Sequence, residues 1–164
     1  MKRFELALLL LPGDEPNSVQ DWVAMHVRGM AHLRQGDCDT AINVFKYGIQ
    51  QCPFPGQLTY FRNALAVAQL GQEQYSDAVA TLGNQTSEVS DILHLHAEGK
   101  QGHKEKALAA HQRLLASQRA RVILLRDELA RALLSDHSTA AQTKEWNEIV
   151  LERECELVVC RVAA

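Results

Sequence analysis

Aromatic side chains are scarce in this chain, at 5% of 164 residues, and its four prolines all lie before residue 56. Proline is the residue that most firmly breaks a helix. The rest of the chain can therefore be helical. Long apolar runs are missing too. The N-terminal stretch MKRFELALLLLPG has an unbroken apolar run only from Leu6 to Leu11, short of the roughly 20 residues that span a bilayer. Glu5 interrupts it and no small-x-small cleavage site follows, so it is expected to pack on the domain edge rather than act as a leader.

The usual chemical signatures are also missing. The four cysteines, Cys38, Cys52, Cys155 and Cys160, form no CxxC pair, which argues against a zinc site or a disulfide-dense secreted scaffold. Reduced thiols in a cytoplasmic protein are the simplest expectation. No GxGxxG, phosphate-binding loop or HExxH occurs. His94 and His96 are two apart, so on a helix they point to nearly opposite sides and cannot share a metal. Asp136, His137 and Ser138 are consecutive and cannot line up as a relay. No enzyme, cofactor or metal is expected.

Net charge is −3 with pI near 6.1, unlike a dedicated nucleic-acid binder. The balance is uneven. Residues 98–131 hold eight Lys/Arg and four Asp/Glu, a net of +4, which leaves −7 for the rest. Between Phe61 and Trp146 the only aromatic is Tyr75, so this basic segment lacks stacking platforms for bases.

What is present is a repeat. QGDCDTAINVF (35–45) has partners in LGQEQYSDAVATL (70–82) and QGHKEKALAAH (101–111). Each has a glycine, a polar turn and an alanine opening a second helical run. Gly36, Gly71 and Gly102 are 35 and 31 apart, whereas Ala41, Ala78 and Ala107 are 37 and 29 apart, as if the second turn held two extra residues. A degraded fourth copy has Ala141, 34 after Ala107, with Ser135-Asp136 in the glycine's place. A period near 34 with a helix on each side of the turn is the mark of stacked helical hairpins. The alanine belongs where two helices approach closely, and the residue four later, Phe45, Leu82 or His111, fills the space beyond it.

The first helix of each hairpin is read over 19–34, 57–70, 89–97 and 119–134. Gly29 and Ala64 are the small residues of the first two, 35 apart. Pro53 and Pro55 with Gly56 are expected to end the second helix, and Asp39 and Ser76 to cap helical runs.

The pattern resembles the tetratricopeptide repeat family over about 19–142, through Gly29, Gly36, Ala41, Phe45 and Pro53, then Tyr60, Ala64, Gly71, Tyr75, Ala78 and Leu82. The resemblance implies an all-α, right-handed solenoid of three to four antiparallel hairpins. Residues 1–18 would form an N-terminal apolar segment and 143–164 a C-terminal cap. It also implies a protein-interaction module, an adaptor or small chaperone, holding a partner peptide in a concave groove. By position the groove would comprise Val23, His26, Met30, Leu33, Arg34, Phe61, Leu65, Gln69, His96 and Lys100. Apolar pockets would then be edged by positive charge from His26, Arg34, His96 and Lys100. Two alternatives stay open. One is a self-assembling subunit, a homodimer paired through the apolar ends FELALLLL and LVVCRV; the other is a nucleic-acid-associated protein using residues 98–131. No membrane partner is expected.

Overall fold

The computed structural model describes residues 16–117 together with 126, 127 and 130. Its elements are α1 (Val19–Arg34), α2 (Cys38–Gln51), α3 (Pro55–Gly71), α4 (Tyr75–Leu82), α5 (Glu88–Lys100) and α6 (Lys104–Leu114), with no strand among the described residues. The expected all-α class is what the described residues adopt. The three first helices expected over 19–34, 57–70 and 89–97 are α1, α3 and α5. Most of the fourth hairpin, the apolar ends 4–11 and 157–162, and Cys155 and Cys160 lie outside the described residues. The described residues divide into two compact units, one up to Ala68 and one from Gln69 onward.

In the first unit, α1 begins at a reciprocal cap. Ser18 Oγ accepts from the Asp21 amide at 3.2 Å, and Asp21 Oδ2 accepts from the Ser18 amide at 2.9 Å. Helix α1 packs on α2. The contact is close because Gly29 has no side chain: a Cβ there would overlap the Phe45 ring. Gly48 makes the same room for Phe61. Both rings are completely buried, as is Ala41. Trp22 meets Phe61 edge-on at 6.1 Å and stacks on Tyr47 at 6.1 Å.

In the second unit, α5 packs against both α4 and α6. Ala78, Leu82, Ala107, Ala110 and Leu114 from α4 and α6, with Leu93 and Leu95 from α5, are all buried. The third copy fills its core with Ala110 and Leu114, since His111 is half-exposed.

The three hairpin turns share one hydrogen-bond scheme. The amide of the residue before each second helix reaches back across the turn: Asp37 to His32 O at 3.0 Å, Gln74 to Gln69 O at 2.8 Å, and His103 to Glu98 O at 2.9 Å. One residue per turn is left-handed, Gly36 (φ 84°), Glu73 (φ 59°) and Gly102 (φ 76°). Each precedes the buried alanine by five residues. The second turn thus has no extra residues. Gly71 is not its turn glycine but the last residue of α3, and Glu73 takes the position that favours glycine.

The caps differ from expectation in the same way. Asp37, not Asp39, caps α2 through Thr40 N. Gln74 precedes α4 without a side-chain cap, and Ser76 lies inside the helix, donating instead to Gln101 Oε1 at 2.9 Å. Helix α2 stops at Cys52, whose extended backbone leads into Pro53. Pro55 starts α3, where its missing N–H costs nothing.

Ala41→Leu and Ala78→Leu will each overpack a hairpin contact and cost about 1–3 kcal/mol. Gly29→Ala gains up to about 1 kcal/mol of helix propensity, yet overlap with Phe45 outweighs it and the variant will be less stable. Urea denaturation measures all three, and stabilities equal to the parent would contradict the packing described.

Candidate functional site

The residues expected to line a groove fall in both units. On α1, His26 and Met30 are almost completely buried, Leu33 is buried and Arg34 is half-exposed. On α3, Phe61 and Leu65 are buried. In the second unit Gln69 and His96 are buried and Lys100 is half-exposed. Helix α3 has no exposed side in its second half: residues 63–70 are buried at every position.

Burial changes the chemistry of the two histidines. His26 sits among the rings of Phe45, Tyr60 and Phe61 at 5.9, 6.2 and 5.6 Å. Burial pushes its imidazole down to about 4, opposed by a hydrogen bond involving the Tyr60 backbone. His96, 6.5 Å from the Tyr75 ring, is likewise pushed down to about 4, by burial and then by the Lys100 charge. Both are neutral near pH 7. They add no positive charge to a rim, which corrects that part of the expectation.

The second unit holds a cleft of about 420 Å³. Its size falls in the range of binding pockets. One wall is the end of α4, at Val79 and Gly83, with the link Asn84–Thr86 beyond it. The floor is α5, where His94 Nε2 lies 3.1 Å from Gly83 O and burial pushes the imidazole down. A neutral ring donates Nε2–H to that carbonyl. The other wall is α6, whose Lys106, Ala109 and Arg113 share one face.

The charges are layered. Arg113 Nε donates to Asp91 Oδ1 at 2.7 Å, and its Nη2 lies 2.6 Å from the same oxygen. Glu98 Oε2 meets His103 Nδ1 at 2.7 Å, while its Oε1 lies 3.6 Å from Lys106 Nζ. The carboxylates are deep, with side chains 8% and 6% exposed, whereas Arg113 and Lys106 are 45% and 67% exposed. A molecule entering from solvent therefore meets the cations first. The lining offers amides, a hydroxyl and fixed charges, which suits binding. Among the described residues no group of three His, Cys, Asp or Glu could hold a metal, and no helix is long and apolar enough to cross a membrane.

In the sequence Lys106 and Arg113 stand out only as part of the basic stretch. Their i, i+7 spacing across Ala109 marks one helix face and was the available signal. The buried partners Asp91 and Glu98 had none. No protein-family model, curated protein or solved structure matches the chain, so a functional reading rests on this geometry.

The two buried histidines make stability fall with acid. Unfolded, each titrates near its ordinary 6.5; folded, near 4. As pH drops below about 6.5 the unfolded chain binds protons first, so stability is lost progressively down to about 4 and then levels off for these groups. Near pH 5 each contributes a loss of about 2 kcal/mol. Urea denaturation near pH 7.5 and pH 5 will show a drop that shrinks by about that amount in His26→Leu. An undiminished drop would contradict the burial of a neutral imidazole.

Proposed function

We propose that this chain is a non-catalytic helical-repeat interaction module, an adaptor or small chaperone of the tetratricopeptide type, built as a right-handed solenoid. Three turns with the same hydrogen-bond scheme, each five residues before a buried alanine, support the repeat. The partner is an extended protein segment rich in carboxylates, and it is taken up in the cleft of the second unit. The observation that carries this choice is the layering of charge: Lys106 and Arg113 exposed over buried Asp91 and Glu98. An extended chain also supplies the N–H and C=O groups that Asn84 and Thr86, both exposed on the link, can pair with.

The test is selection from a random peptide library displayed on phage, followed by titration of the enriched peptide. Acidic sequences should be enriched. Lys106→Gln, at an exposed position and with His103 still paired to Glu98, should weaken binding by up to about tenfold and reduce its salt dependence, as expected for a rim charge, with circular dichroism confirming that the variant is folded. Failure to enrich any peptide, or tighter binding of a single-stranded oligonucleotide than of the best peptide, would overturn the proposal.

A further inference from the structure

We infer that α4 is a movable wall of the cleft, a flap that opens at the turn before it while α5 and α6 stay packed. The inference concerns regulation of the site proposed above. The three turns share one backbone scheme and differ in what secures it.

Two of the turns carry a side-chain clasp. The residue four before the left-handed position meets the residue one after it. In the first turn His32 Nδ1 lies 3.1 Å from Asp37 Oδ2. In the third the roles are exchanged, and Glu98 Oε2 lies 2.7 Å from His103 Nδ1. The same two positions in the middle turn are Gln69 and Gln74. Gln74 makes no capping hydrogen bond, and Gln69 Oε1 is buried with no hydrogen-bond partner. A buried carbonyl oxygen without a donor favours opening, since water satisfies it in the open state.

The backbone adds to this. Glu73 is the one described residue other than glycine with positive φ, at 59°. A side chain in that region is strained, so the middle turn closes against a cost that Gly36 and Gly102 avoid. Helix α4 is also the shortest described, at 8 residues, and buries only Ala78 and Leu82. A helix this short has little stability of its own.

Two side-chain hydrogen bonds hold the flap down, Ser76 Oγ to Gln101 Oε1 at 2.9 Å and His94 Nε2 to Gly83 O at 3.1 Å. Both involve exposed groups and are open to competition from water. Because Val79 and Gly83 line the cleft, lifting α4 widens it, and a bound segment touching both α4 and α6 closes it.

Hydrogen exchange of the full chain, read by mass spectrometry without any ligand, tests the flap independently of the peptide proposal. The α4 amides should exchange at least tenfold faster than those of α6. Transplanting the third turn's clasp, Gln69→Glu with Gln74→His, should slow α4 by about tenfold and leave α2 unchanged. Glu73→Gly, which relieves the backbone without touching Gln69, should slow it as well and serves if the double variant does not fold. Equal exchange of α4 and α6 in the parent would overturn the flap, and so would a folded Glu73→Gly variant with unaltered α4 exchange.

Discussion

A backbone amide that reaches back across a turn underlies each hairpin. Asp37, Gln74 and His103 each donate to the carbonyl five residues earlier. The bond closes only if one intervening residue is left-handed, and it ends one helix and starts the next within three residues. Everything downstream follows from that register. It places Ala41, Ala78 and Ala107, all completely buried, five residues after the left-handed position. It also aims Phe45 at Gly29, where there is room for a ring and none for a methyl group.

The alanines made the repeat legible before any coordinates, because small size at a helix contact is a property of residue type. The glycines were less trustworthy. Gly71 stands near the middle turn, yet the chain turns at Glu73, and sequence shows a residue's preference rather than its φ. Asp39 and Ser76 are of types that cap helices, but Asp37 lies two residues nearer the turn and caps α2, and Ser76 donates to Gln101 instead. The site was the least legible part. Period placed His26 and His96 on the first helices and could not reveal that both side chains are buried. Arg113 and Asp91 are 22 residues apart, and nothing local announces their pairing.

Charge is handled differently in the core and at the cleft. Inside, His26 and His96 stay neutral because desolvation disfavours the imidazolium. At the cleft, Asp91 and Glu98 remain buried because cations and a histidine cover them. Removing Arg113 is costly, as it strands the buried Asp91 carboxylate. The exposed cations therefore both stabilise the α5–α6 hairpin and form the surface proposed to meet a carboxylate-rich segment. Helix α4 is the wall with the weakest hold, so the proposed site joins a rigid side to a yielding one.

The register of the turns is most directly tested by comparing Gly71→Ala with Gly36→Ala and Gly102→Ala in urea denaturation. Gly36 and Gly102 are left-handed, so alanine there should cost about 1–2 kcal/mol. Gly71 is helical with open space around its Cα, so alanine there should be neutral or stabilise by up to about 1 kcal/mol. A Gly71→Ala variant that loses as much stability as Gly36→Ala would place the turn at Gly71 and contradict the shared register.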